Sequence, residues 1–148
     1  MLPFTDIDEE SRLKHTQQAL AFMEQSSQSE ARKWESSLRN NIGYSLHQLG
    51  RLDEALAMFE SNIAVNERSG NVGRTRIAYW MVAWTLRSLG RLDDALAIQL
   101  RLEREHDSDG TPDVYVYEEL AKLYEAKGDT EQARHYGALA KRPIAPSS

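Results

Sequence analysis

Apolar residues recur every three or four positions through most of this chain, and the runs stop at glycines or at short polar stretches. That spacing is the signature of helices with one buried face. The pattern predicts a first helix from about Glu9 to Ser27, carrying Leu13, Ala19, Leu20, Phe22 and Met23, behind a loose leader, Met1 to Asp8, in which Pro3 and the acids delay helix formation. A second runs from about Ser29 to Leu49, with Trp34, Leu38, Ile42 and Leu46 at spacings of four, and a third from Asp53 to Arg68 answers with Leu56, Phe59, Ile63 and Val65. The fourth, Arg74 to Leu89, holds Ile77, Tyr79, Trp80, Met81, Val82, Trp84 and Leu86, more large apolar residues than one face can bury. A fifth spans Asp93 to Glu105 and is followed by a loop, His106 to Pro112. Thr111 and Pro112 are read as an N-cap and first-turn proline opening a sixth helix to about Lys127. A seventh covers Thr130 to Ala140 through Ala133, Tyr136 and Leu139, ahead of a frayed tail.

One octapeptide occurs twice. Leu49 to Leu56 reads LGRLDEAL and Leu89 to Leu96 reads LGRLDDAL, so the second copy stands 40 residues after the first and differs only by Glu54 against Asp94. A period of that size indicates stacked helical hairpins. Each copy has the chemistry of a corner. Gly50 and Gly90 follow apolar-periodic stretches, where a helix ends in the left-handed conformation that glycine adopts cheaply. Asp53 and Asp93 stand at the start of the next helix as N-caps or first-turn acids. Ala55 and Ala95 allow two helices leaving the corner to approach, and Gly128 marks a third corner 38 residues after Gly90.

Composition narrows the class. The 148 residues make one domain the prior, and 41% hydrophobic content suffices for a core. Alternating β-branched runs and Asn-Gly turns are missing, so the expected class is all-α. The net charge of −5 argues against nucleic acid and anionic membrane surfaces as partners. The lack of cysteine excludes disulfides, thiol catalysis and thiolate metal sites. There is no signal-like N-terminus and no run of apolar residues long enough to span a bilayer, which makes a cytoplasmic location the default.

Aligned on the three corners, the hairpins resemble tetratricopeptide repeats, whose consensus runs Trp-x2-Leu-Gly-x2-Tyr, then Ala-x3-Phe, then Pro. The first hairpin reads Arg39, Ile42, Gly43, Leu46, then Ala55 and Phe59; the second, Tyr79, Val82, Ala83, Leu86, then Ala95 and Gln99; the third, Tyr117, Leu120, Ala121, Tyr124, then Ala133 and Gly137. Both small-residue slots, where helix backbones touch, are kept in all three. The closing proline is absent from the first two units, and the 40-residue period is similar to that of the long-helix members of the family. The resemblance implies a right-handed superhelix of three hairpins plus an N-terminal capping helix: 9–27 the cap, 29–68, 71–107 and 112–141 the repeats, and 142–148 a flexible tail.

It also implies a groove lined by the first helix of each hairpin. Carried onto this chain, the first hairpin offers Ser37, Asn40, Tyr44 and His47; the second Ile77, Trp80, Trp84 and Arg87; the third Tyr115, Glu118, Lys122 and Glu125. Spacings of three and four put each quartet on one helical stripe. Trp80 and Trp84, one turn apart, are then the anchors, since rigid aromatics favour binding sites. Alternatively the N-terminal helix or C-terminal tail folds over the pair and buries it as core. The family's carboxylate clamp needs Lys and Arg from successive first helices; only Asn40 fits, because the third hairpin offers Tyr115 and Glu118 or Glu119 in those slots. A peptide with an apolar anchor beside a basic residue, drawn by Glu118 and Glu125, suits this groove better.

Nothing in the chain reads as an enzyme. His15, His47, His106 and His135 lie in different elements, and no two have a metal-ligand spacing of three or four. Asp107, Asp109, Asp113 and Glu118 fall at calcium-ligand intervals, but Pro112 occupies the place of the obligatory turn glycine. Gly70 and Gly73 match no phosphate loop. The expectation is a non-catalytic adaptor with no cofactor or metal, binding a protein or peptide segment. The alternatives are a module that self-associates into a homo-oligomer through its terminal helices, and a helical domain that senses a small ligand.

Overall fold

The computed structural model describes residues 4–25 and 34–142, the side chains from Asp8 onward. Among the described residues there are seven helices and no strand: α1 (Phe4–Glu24), α2 (Glu35–Gln48), α3 (Leu52–Ser69), α4 (Val72–Ser88), α5 (Leu92–Asp109), α6 (Val114–Ala126) and α7 (Thr130–Lys141). The fold is an all-α helical repeat. The chain divides into two compact units, Met1–Thr85 and Leu86–Ser148.

The corners are built as their sequence requires. Gly50, Gly90 and Gly128 have φ of 77°, 80° and 80°, a region barred to most side chains by the Cβ atom. At each, the amide of the residue after the glycine reaches back: Arg51 N–H to Leu46 O, Arg91 N–H to Leu86 O and Asp129 N–H to Tyr124 O, all at 2.9 Å. This Schellman closure satisfies carbonyls that a helix end otherwise leaves open. Asp53 and Asp93 are first-turn acids and not caps; the N-cap positions are Arg51 and Arg91, which make no side-chain capping bond. Each arginine instead pairs forward, Arg51 with Glu54 and Arg91 with Asp94, so the one position at which the two octapeptides differ keeps its charge for a partner three residues upstream.

In the first unit α1 packs on α2, and α2 on α3. Its core consists of Leu13, Leu20 and Met23 from α1, Ile42 and Leu46 from α2, Ala55, Leu56 and Phe59 from α3, and Ala78, Met81, Val82 and Ala83 from α4. Phe59, fully buried, lies so close to α2 that a Cβ on Gly43 would sit 2.4 Å from its ring. The small residue of the first helix is thus the seat of the large residue of the second. A polar seam continues the contact: Asn62 Nδ2 donates to Ser36 O (3.1 Å), Ser36 Oγ to Asn66 Oδ1 (2.8 Å) and Asn66 Nδ2 to Asn62 O (2.8 Å). Arg39 ties α1 to α2 through Glu24 (2.9 Å) and also holds Glu35 (3.1 Å).

In the second unit α5 packs on α6 and α6 on α7. Leu86, Ala95, Leu102, Val116, Leu120, Leu123 and Tyr136 are its buried apolar residues. Tyr136 stacks on Tyr124 with ring centroids 5.7 Å apart and donates its hydroxyl to Glu103 Oε1 at 2.9 Å. Burial above all, and then that hydrogen bond, push the Tyr136 phenol well above its ordinary range.

Four local expectations are corrected. Helix α1 begins at Phe4, not Glu9: acids near a helix start are favoured by its dipole and so open the helix instead of delaying it. Within it, Leu13, Leu20 and Met23 form the buried stripe, while Ala19 and Phe22 (76% exposed) face away. The stretch from His106 to Asp109 is not loop. It completes α5, which stops at Gly110 (φ 68°) by the same closure, Thr111 N–H to His106 O at 2.9 Å. The N-cap of α6 is Asp113 and not Thr111: its carboxylate accepts from Tyr115 N (2.8 Å), and Pro112 lies outside the helix. The predicted helix residues 26–33 and the tail from 143 lie outside the described residues.

Candidate functional site

The first-helix stripes of the first unit meet at a set of rings. On α2, Asn40, Tyr44 and His47 share a face because they are four and three residues apart, and on α4 Ile77, Trp80 and Trp84 do so at three and four. The imidazole of His47 lies face to face on Trp84, with centroids 3.5 Å apart and planes inclined by 11°. Tyr44 is parallel to the same indole at 6.1 Å and 12°, and Trp80 at 5.9 Å and 19°. Trp84 is the centre of the group and each of the others touches the stack through it.

Trp80 and Trp84 are half-buried, whereas Tyr44 (42%) and Ile77 (56%) are open to solvent. The stripe is a surface with aromatic edges: its interior is closed by ring-on-ring stacking, its rim by Tyr44 and Ile77. Such rings present a flat apolar face at low entropic cost. His47 is a member of the stack.

One turn toward the start of both helices the surface becomes polar. A cavity of about 200 Å³ opens there, lined by Ser36, Ser37, Asn40 and Asn41 of α2, Asn62 of α3, and Arg74, Ile77 and Ala78 of α4. Sequence reasoning named Ser37, Asn40 and Ile77 but missed the rest. A signal was present: Phe59, Asn62 and Asn66 follow one another at three and four, which carries the amides onto the buried face that Phe59 defines.

The remaining groove candidates belong to the second unit, where they do not make a comparable face. Arg87 is held by Glu119, a carboxylate only 3% exposed, through two parallel bonds: Nε to Oε1 at 2.8 Å and Nη2 to Oε2 at 3.0 Å. Lys122 stands 3.9 Å from the same carboxylate. Tyr115, Glu118 and Glu125 are exposed on α6. The fork of Arg87 is therefore spent inside the protein, on the residue next to the Glu118 that the resemblance pointed to.

Among the described residues no three acidic or imidazole side chains gather as a metal site. Asp107 and Asp109 lie in the last turn of α5 and Asp113 caps α6, so the acidic interval is the trace of a helix end and a helix start. No helix among the described residues is long and apolar enough to cross a membrane.

Helix pairs with glycine corners, small-residue contacts and a side-chain stripe left on the first helices define a helical-repeat protein. Residues 34–104 match the family model of the tetratricopeptide repeat, and over that stretch the chain is similar to that family. They contain the first hairpin and nearly all of the second, the Gly43 to Phe59 contact and the ring stack included. Neither the curated proteins nor the solved structures gave a match. Tetratricopeptide repeats generally mediate protein–protein interaction, and the family is typically a non-catalytic scaffold.

Proposed function

We propose that this protein is a non-catalytic adaptor that binds a peptide or protein segment on the first-unit face formed by Asn40, Tyr44, His47, Ile77, Trp80 and Trp84. The observation that carries the reading is the parallel stack centred on Trp84, with Tyr44 and Ile77 open at its rim. A flat aromatic floor takes an apolar or planar side chain of a partner by contact area and by stacking, each burial of a large apolar group being worth about 1.5 to 3 kcal/mol. Asn40 supplies hydrogen bonds to the partner's backbone at the polar end of the stripe.

The second-unit residues Arg87, Lys122 and Glu125 are left out of the primary contact, because Arg87 is committed to Glu119. The test is a peptide-display selection on the purified chain, followed by affinity measurement on Tyr44→Ala and Trp84→Ala with circular dichroism on the same samples. A loss of about tenfold or more in either variant, with helicity kept, is the expected result for a central aromatic anchor. Unchanged affinity in both folded variants would remove this face from the account.

A further inference from the structure

The cavity at the polar end of the first unit has a donor and acceptor pattern that is incomplete without a guest. Asn62 is 2% exposed, and its Nδ2 is committed to the carbonyl of Ser36 at 3.1 Å, which fixes the orientation of the amide. Its Oδ1 is buried with no hydrogen-bond partner. Burying an amide oxygen without a donor is costly, so a native protein seldom leaves one unserved. Asn62 Oδ1 is thus an acceptor available to a group that brings an N–H or O–H donor into the cavity.

The charge of the lining defines the other half. Arg74 is the sole ionic side chain among the lining residues; the others are Ser36, Ser37, Asn40, Asn41, Asn62, Ile77 and Ala78. Arg74 makes no ion pair among the described residues, and the side chains of Ser37, Asn40 and Asn41 likewise have none of their hydrogen-bonding capacity taken up there. A cation among amides and hydroxyls suits a carboxylate. The volume of about 200 Å³ is below the roughly 300 to 1,000 Å³ of pockets for drug-sized ligands, and matches one residue of a chain.

We infer that this cavity is a receptor for a single acidic residue within a peptide, its backbone N–H donated to Asn62 Oδ1 and its side-chain carboxylate held by Arg74 with Asn40 and Asn41. An aspartate or glutamate carries both groups within one residue. The cavity shares Asn40 and Ile77 with the face proposed above but does not require the rings of Tyr44, Trp80 and Trp84 to bind a partner.

The probe is N-acetylglutamate α-amide, titrated into the ¹⁵N-labelled full chain while the side-chain amide signals of Asn40, Asn41 and Asn62 are followed. Saturable shifts of these signals are expected, with affinity at least about tenfold weaker for N-acetylglutamine α-amide, which lacks the charge, and for the exposed variant Arg74→Gln. The indole N–H signals of Trp80 and Trp84 report the aromatic face in the same spectra, so the two sites are read separately. No saturable shift, equal binding of the uncharged probe, or equal binding by Arg74→Gln would overturn the site. Equal or tighter binding of N-acetylglutamine, whose one carboxylate is the chain end, would overturn its assignment to an internal acidic residue.

Discussion

The two units use one corner and one helix plan for opposite surfaces. In the first, the stripe positions carry rings that stack on one another and leave Tyr44 and Ile77 facing solvent. In the second, the stripe position after Trp84 is Arg87, whose guanidinium is bound inward by a buried glutamate. The cores differ as well. Phe59 fills the space over Gly43, whereas at the matching place 40 residues on stands Gln99, fully buried, with neither amide atom partnered. Backbone contacts at the small-residue slots tolerate such exchange, because they set the helix spacing and leave the chemistry of the neighbouring side chains free.

That contrast is broken most strongly at Phe59. Phe59→Ala leaves a cavity against Gly43 and is expected to cost about 3 to 5 kcal/mol in urea unfolding. A loss under about 1 kcal/mol would mean that Phe59 does not organise the first unit. Next comes Arg87→Ala, which strands the Glu119 carboxylate; about 3 kcal/mol is expected from the removal of one partner of a buried pair. If Arg87→Gln and Arg87→Ala both prove neutral, the fork is a surface contact and Arg87 returns to the list of residues free to bind a partner.

Gln99→Leu goes in the other direction. Replacing an unserved buried amide by an apolar group of similar size should stabilise the protein by about 1 to 2 kcal/mol, read as a higher urea midpoint at unchanged slope. Destabilisation instead would show that the amide is served by water or by a partner. The smallest effect concerns Tyr136. Its phenol is held protonated in the folded state, so the stabilisation is complete below the ordinary phenol value of about 10 and fades as pH rises through the elevated folded value. Melting temperature should therefore fall from pH 9 toward pH 11, and fall less in Tyr136→Phe. Equal slopes would place the alkaline sensitivity elsewhere.

Much of the fold was legible from the chain because its devices are local. The octapeptide, the glycine stops and the two small-residue slots act within one or two turns, and each was found where expected: Gly50, Gly90 and Gly128 in the left-handed region, and Gly43, Ala55 and Ala95 at the contacts. Helix ends were harder. His106 to Asp109 reads as loop by composition, yet polar residues in a last turn cost little and the stop belongs to Gly110. The stripe register also came through, since Tyr44, His47, Trp80 and Trp84 do meet. What periodicity could not convey was pairing across helices. Whether Arg87 faces solvent or Glu119, and whether Asn62 and Asn66 serve α2 or solvent, depends on which rotamer a neighbour 32 or 26 to 30 residues away leaves available.

The corners have a consequence for how such a chain changes over time. Because Arg51, Arg91, Thr111 and Asp129 close the preceding helix with their own main-chain amides, no side chain from another element is needed to seal the joint. A segment between two joints can be exchanged, and its surface with it, without rewriting what stands on either side. The stretch from Leu52 to Ser88, between the Arg51 and Arg91 joints, is the clearest case: its outward residues can be replaced while its architecture stays.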